Sequence, residues 1–351
     1  MNELFSGKKV LIIGGTGTVG KTLFYSLLMQ KPQVIRLFSR DEHKQFILEN
    51  ELGIIKSADN GHETPSGENV RFLIGDVRDK ERVLRAMEGI DIVFNVAAMK
   101  HVPACEYNPF EAVKTNVLGV QNVIEAALKT GVEAVVYTST DKAASPTNTM
   151  GASKLLAERL MSAAQFSSGR DQVMKFVSVR FGNILMSRGS VLPLFVAQAK
   201  KRAALTLTEP DMTRFIMSKE RAVELILKAA IESLGGEIFI LKMPVVKMGD
   251  VAKSVMEYFD YDSLEVIGKR PGEKMYEELM TEEESMRALE LEEMFAVLPF
   301  FGEREKYDIH YGGKAAPADI GMYSSENEPI LDYVQVKEMI WDILNSEGVK
   351  K

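Results

Sequence analysis

The stretch Lys9–Leu23, KVLIIGGTGTVGKTL, decides how the rest of the chain is read. KVLIIG is a short apolar run rich in aliphatic residues, the pattern of a strand covered on both faces. GGTGTVG follows directly, and a helical pattern runs from Val19 to Met29. Gly14, Thr16, Gly17, Thr18, Val19 and Gly20 thus form a strand–turn–helix junction. Glycines at such a junction permit a tight turn, close approach of a pyrophosphate and tight helix–sheet packing. The helix N-terminus then points its N–H groups at the phosphates.

Outward from this point, short β-rich runs alternate with longer helical patterns. The runs are VIRLFS (34–39), VRFLIGD (70–76), DIVFNVAA (91–98), AVVYTST (134–140) and KFVSVRFG (175–182). Such alternation builds a parallel sheet with helices on both faces. The fold class is α/β: a doubly wound parallel Rossmann sheet with a smaller mixed α/β C-terminal substrate domain. Residues 1–185 and 216–242 are assigned to the dinucleotide half, and 186–215 with 243–298 to the smaller one. Within these parts, 219–233 reads as a helix, EIFILK (237–242) as a strand and 249–280 as mixed structure. Residues 299–351 form an irregular arm with a last helix near 334–345, lying over the active site or over a partner. Ser57–Glu68, rich in Gly, Ser, Pro and charge, reads as an exposed loop.

Composition narrows the class. The chain has 351 residues, 46% hydrophobic and 26% charged, ordinary for a globular protein with a substantial core. A net charge of -7 argues against nucleic-acid binding, which needs a basic face. Cys105 is the single cysteine, which excludes an internal disulfide framework and fits a reducing compartment. No apolar run reaches the roughly 18 residues of a membrane helix, and MNELFSGKK lacks a leader pattern. The expected location is cytoplasmic, with no membrane partner and no metal.

The second strand ends in LFSRDEHK. Ser39 and Arg40 reach its tip, followed by Asp41 and Lys44, where an acidic residue would select NAD. A guanidinium can grip a 2′-phosphate through paired hydrogen bonds, so NADP is preferred over NAD. The bland alternative is a solvated surface arginine. Asp76 and Val77 end the third strand; Asp76 could meet adenine or cap the next helix.

AVVYTST delivers Thr140, Asp141 and Lys142 to the carboxyl end of the sheet, where open α/β sheets bind ligands. After a turn at Ser145–Thr147, a helix starts near Met150. Met150 and Lys154 share one of its faces, which places Lys154 against a cofactor ribose.

At this point the chain resembles the extended short-chain dehydrogenase/reductases, specifically the UDP-N-acetylglucosamine 4,6-dehydratases. GGTGTVG, FSRDEHKQ, GDVRD, NVAAMKHVPACEYNP, KTNVLG, STDKA, MGASK, RFGN, SRGSVLP, MTRF and RPGEK carry the resemblance, in order from residue 14 to about 280. The departure is Met150, where most of the superfamily has tyrosine; a subset of these dehydratases resembles the chain in carrying methionine. The resemblance implies an internal redox cycle. Hydride leaves sugar C4 for the nicotinamide, water is lost across C5 and C6, and the hydride returns to C6. It also implies Lys142 as the C5 base and Asp141 as the acid at O6. A neutral Lys142 is required for part of this cycle, and burial with nearby Lys154 and Lys100 is expected to lower its pKa. A protonated Asp141 is needed at O6, which a desolvated site favours. With Met150 inert, Asp141 is expected to take the O4 proton and later give it to O6, with Thr140 hydrogen-bonded to the 4-oxygen.

The same resemblance assigns the rest of the site. Ala97 and Ala98 keep the cofactor wall small, while Lys100 and His101 face the substrate, His101 in a positioning role. Asn116 lies in a helix, where asparagine usually points outward or bonds backbone; the family reading is a structural link beside the cofactor. Asn183, Arg188, Val191 and Lys242 are placed against the UDP-sugar. Arg270 and Arg214 are diphosphate candidates, and Glu273 a ribose acceptor. A 4-epimerase or 4-ketoreductase on the same scaffold is the alternative, and a non-catalytic NADP-binding sensor the one from another class. Family habit suggests a homo-oligomer, from dimer to hexamer.

Overall fold

The computed structural model describes residues 4–58, 69–167, 174–269 and 272–350. The first half alternates as read from the sequence: β1 (Lys9–Ile13), α1 (Thr18–Leu28), β2 (Val34–Ser39), α2 (Glu42–Ala58), β3 (Val70–Ile74), α3 (Lys80–Met87) and β4 (Ile92–Asn95). Ser57 and Ala58 finish α2 rather than opening a loop; residues 59–68 lie outside the described residues. Two short helices, α4 (Val102–Tyr107) and α5 (Pro109–Val113), lead through a π turn (Lys114–Leu118) into α6 (Gly119–Thr130). β5 (Ala134–Thr138), α7 (Thr149–Ser167) and β6 (Lys175–Arg180) complete this half.

Beyond it the elements shorten: β7 (Asn183–Ile184), α8 (Val191–Lys200), β8 (Leu205–Leu207), β9 (Thr213–Met217), α9 (Lys219–Glu232), β10 (Ile238–Leu241), β11 (Val245–Lys247), α10 (Met248–Tyr258) and β12 (Leu264–Val266). The last part holds β13 (Glu278–Met280), α11 (Glu282–Ser285), β14 (Ala288–Glu290), β15 (Met294–Val297), α12 (Arg304–His310), β16 (Ala316–Pro317), β17 (Tyr323–Ser324) and α13 (Tyr333–Ser346).

The main sheet runs β16-β14-β15-β10-β6-β5-β4-β1-β2-β3. From β3 to β10 every pairing is parallel. The order reverses between β1 and β4, and that switch point is where a ligand crevice forms. Residues 288–297, expected in the smaller part, instead extend this sheet with antiparallel strands.

β1 shows why the sheet needs cover on both sides. Val10 and Ile12 enter one core with Leu23, Phe24 and Ala222. Leu11 and Ile13 enter the opposite core with Val83, Val123 and Met161. All four are buried, as side chains alternating across a covered strand must be. A third core joins α8, α10 and α13 through Phe195, Val255 and Ile340. The arm is therefore ordered: β17 pairs with β13, and α13 packs with α8 and α10.

Candidate active site

The glycine turn has no room for side chains. Gly14 has φ +87°, and a Cβ there would lie 2.8 Å from the Ala97 nitrogen. A Cβ on Gly20 would lie 2.4 Å from the Gly14 carbonyl oxygen. The first turn of α1 thus packs directly on the end of β1, with Ala97 across the switch point. Gly17 caps α1 without a side-chain bond, so the first N–H groups keep their capacity for an anion. These features fit a dinucleotide pyrophosphate.

Thr16 and Ser39 share a hydroxyl hydrogen bond of 2.7 Å, joining the turn to the tip of β2. Arg40 is exposed and stands 3.5 Å from Asp76. Asp76 is held more closely by Arg78, through Nε at 2.9 Å and Nη2 at 2.7 Å. Asp76 does not cap the following helix: Asp79 does, accepting from the Arg82 N–H. Asp41 accepts from the Lys44 N–H and pairs with its ammonium. Val77 is buried and packs against Gly119.

Asp141 and Lys142 open a 3₁₀ turn at the end of β5. Asp141 is buried, and three donors converge on it. Thr140 Oγ1 donates to Oδ1 at 2.7 Å, the Lys142 N–H at 2.9 Å, and Lys142 Nζ at 3.0 Å. Lys142 Nζ also lies 3.3 Å from Glu277, a residue the sequence reading did not single out. Burial pulls the Lys142 ammonium down, yet the Asp141 and Glu277 carboxylates outweigh it, and its pKa is raised. The expectation of a lowered Lys142 is corrected here: two anions face it, while Lys154 is turned elsewhere.

Lys154 Nζ donates to the Thr138 carbonyl at 2.7 Å and sits 4.4 Å from the centre of the Tyr137 ring. Burial lowers its pKa to about 7. Met150 is buried in a small cluster with Cys105 and Ala112. Tyr137 is wholly buried, so its phenol does not replace the one Met150 lacks. Asn116, in the π turn, is also buried rather than outward-facing. Its amide brackets Met99, accepting from its N–H at 2.8 Å and donating to its carbonyl at 3.0 Å, and donates to Ser153 on α7. It is a protein-to-protein link between the segment after β4 and α7.

The segment after β7 crosses the crevice: the Arg188 N–H donates to Thr18 Oγ1 at 3.3 Å, and Lys100 Nζ to Ser187 Oγ at 3.4 Å. Gly189 has φ +73° and no space for a Cβ, which would meet the His101 ring at 2.2 Å. Ala98, Lys100, His101 and Arg188 are exposed, while Asn183 on β7 and Val191 at the start of α8 are half-buried.

Two assignments are corrected. Arg214 is buried, and its guanidinium donates to the carbonyls of Thr213, Lys274 and Met275, with Glu277 3.7 Å away. Its donors are committed to protein rather than to a diphosphate. Lys242 pairs with Glu290 at 2.6 Å and lies over Phe295, in a cavity shared with Tyr323 and Glu328. Glu273 is half-buried in the segment before β13, and Arg270 lies outside the described residues. That segment braces the turn between β5 and α7: Lys274 Nζ donates to the Ser145 carbonyl at 2.8 Å, and Ser145 donates to Glu278.

Among the described residues, no cluster of three metal-ligating side chains occurs, and no helix is long and apolar enough to cross a membrane. A protein of Methanocaldococcus jannaschii named an uncharacterized membrane protein is 46% identical, covering 98% of both chains. The UDP-N-acetylglucosamine 4,6-dehydratase (inverting) of Campylobacter jejuni is 39% identical over 98% of this chain and 100% of its own. A UDP-glucose 4-epimerase of Rickettsia canadensis is 38% identical over 96% of each. The X-ray structure of Pen from Bacillus thuringiensis superposes with a TM-score of 0.87 at 45% identity, over 97% of this chain and 99% of that one. The family described as polysaccharide biosynthesis protein matches residues 10–299. With its Rossmann sheet and glycine turn, the chain belongs to that family, on the extended short-chain dehydrogenase/reductase scaffold.

Proposed function

We propose that the protein is a UDP-N-acetylglucosamine 4,6-dehydratase that uses NADP. The observation that carries this reading is the ion pair of buried Asp141 with half-buried Lys142, on a chain whose Met150 is inert. A bound nicotinamide would supply the acceptor for the sugar C4 hydride and the donor that returns it to C6. Gly14, Gly17 and the N-terminus of α1 would hold the pyrophosphate, Arg40 a 2′-phosphate, and Lys154 the nicotinamide ribose. Asp141, a carboxylate bonded to Thr140 and Lys142, accepts the O4 proton. That step removes one of the two anions holding Lys142 charged, so the amine becomes a better base for C5–H just when the ketone has acidified it. Asp141 then protonates O6 as water leaves. Thr140 turns its hydroxyl from Asp141 toward the 4-oxygen.

A 4-epimerase is the second reading, favoured by the Rickettsia relative. Against it stands Met150: proton transfer at O4 on this scaffold then falls to Asp141, and a couple poised to work at C5 has no task in epimerisation. Incubation with UDP-N-acetylglucosamine without added NADPH separates the two. A C6 methyl signal by NMR supports dehydration; a 4-epimer with C6 still hydroxylated overturns it. Asp141→Asn should abolish both hydride removal from C4 and loss of water. A variant that still forms the ketone refutes the shared role.

Self-association is part of the proposal. Tyr107 and Phe110, on α4 and α5, are 87% and 81% exposed, an apolar surface suited to a second copy.

A further inference from the structure

Among the described residues, Glu277 is the one acidic side chain, besides Asp141, that stands in an ion pair with Lys142. Its carboxylate is 6% exposed and 3.3 Å from Lys142 Nζ. Its backbone is fixed on both sides, accepting from the Ser325 N–H at 2.9 Å and donating to Ser325 Oγ at 3.0 Å. Ser325 is in turn bonded to the Thr213 hydroxyl at 2.9 Å. Arg214 Nε stands 3.7 Å from the same oxygen that faces Lys142. The result is a row of four charges, Asp141, Lys142, Glu277 and Arg214, inside one wall. A row so built is neutral overall, and a proton can move along it without charging the interior.

We infer that Glu277 is a positioning residue that stores the Lys142 proton during the reaction. This rests on the dehydratase reading above. At the start, Asp141 and Glu277 are carboxylates and Lys142 is an ammonium. Asp141 takes the O4 proton as hydride leaves C4. Lys142 passes one N–H proton to Glu277, leaving a neutral amine and a neutral carboxylic acid. The amine takes the C5 proton. The C5–H electron pair forms the C5=C6 bond as C6–O6 breaks, and Asp141 returns its proton to O6, releasing water. When hydride arrives at C6, the displaced pair passes through the C4 enolate, and Lys142 delivers a proton to C5. Glu277 then returns the stored proton to Lys142. The sugar loses one water, and the three side chains end as they began.

Burial raises the Glu277 carboxyl, and Asp141 raises it further; Lys142 and Arg214 pull it back without cancelling the rise. A carboxyl held up in this way accepts a proton from a neighbouring ammonium more readily than an exposed one.

The test compares the wild type with Glu277→Gln, which keeps shape but cannot store a proton, and Glu277→Asp, which can. UDP-N-acetylglucosamine is turned over in deuterated water from pH 6 to 10, following hydride removal from C4 and deuterium entry at C5. Glu277→Gln is expected to retain hydride removal within threefold and KM within threefold. Its C5 exchange falls at least tenfold at pH 7, because Lys142 has lost its acceptor within the site and must discharge to water, and recovers as pH rises. Exchange faster than wild type at pH 7, the result if losing an anion beside Lys142 outweighs losing the store, overturns the inference. Glu277→Asp is expected to recover C5 exchange at pH 7 above the Gln variant. Equal slowing of both steps with the wild-type pH profile, or no slowing, overturns the inference while leaving the dehydratase reading intact. A Gln variant that does not fold leaves Glu277→Asp to decide: a folded Asp variant with both steps slowed equally also overturns it. A wild type that exchanges no C5 hydrogen overturns the dehydratase reading and the inference with it.

Discussion

Lys154 Nζ donates a 2.7 Å hydrogen bond to the carbonyl of Thr138, the last residue of the strand that leads to Asp141. The bond fixes the amine while burial lowers its pKa to about 7. An unfolded lysine titrates near 10.4. Between these values the unfolded chain binds more protons, so this residue makes stability rise with pH from about 7 to about 10. Melting of the wild type and of Lys154→Met at pH 7 and pH 9.5, without cofactor, should show the gap moving in the wild type's favour at the higher pH. The change should be of order 1–3 kcal/mol, since one pK unit stands for about 1.4 kcal/mol. An unchanged gap would show that Lys154 stays charged.

Arg180 is fully buried and joins three elements. It donates to Glu158 on α7 at 2.6 Å, to Glu284 on α11 at 2.9 Å and to the Leu279 carbonyl at 2.7 Å. Arg180→Met leaves two buried carboxylates without their partner and should cost about 3–5 kcal/mol in chemical denaturation. Burial pushes the Glu284 carboxyl up, but Arg180 pulls it further down, so its pKa is lowered overall. Its contribution is present above the ordinary carboxylate range and is lost as pH falls through the lowered value. In the variant that acid-side loss should be absent.

Restoring the superfamily tyrosine should not help. Met150 fills a closed cluster with Cys105, Ala112 and Met99. Met150→Tyr should cost about 1–3 kcal/mol through overpacking, and turnover should be no faster. A rate increase would mean that O4 lacks an adequate base in the native protein.

Arg40 tests the cofactor assignment. It is exposed beside Asp76, whose carboxylate Arg78 already satisfies. Arg40→Ser should weaken NADP binding about tenfold or more, from loss of charge-assisted bonds of about 1.5–3 kcal/mol, and leave NAD nearly unchanged. Calorimetric titration with each cofactor measures this; equal loss for both would assign Arg40 a structural part.

The sheet was legible because its signals are local. Alternation in β1, glycines where no Cβ fits and a helix opening at Thr18 sit within about fifteen residues of one another. The Asp141–Lys142 couple was legible for the same reason, as neighbours at a strand end. Glu277 was not, because nothing in YEELM distinguishes it from Glu278 until folding brings β13 against the turn at Lys142. Arg214 and Lys242 misled in the opposite sense. A guanidinium suited to a diphosphate is equally suited to three carbonyls, and only the path of the chain decides between them. The rise in the Lys142 pKa was hidden likewise, since it depends on an anion supplied from the far side of the sequence.

Ser325, which pins the backbone of Glu277, follows Lys142 in the chain only after the whole Rossmann half, and Tyr323 beside it accepts through its hydroxyl from the Met243 N–H. A ribosome that has released the whole Rossmann half has still not produced a finished catalyst. Lys142 has its first anion beside it in the chain, but its second, Glu277, comes from a segment made much later and tied down by Ser325.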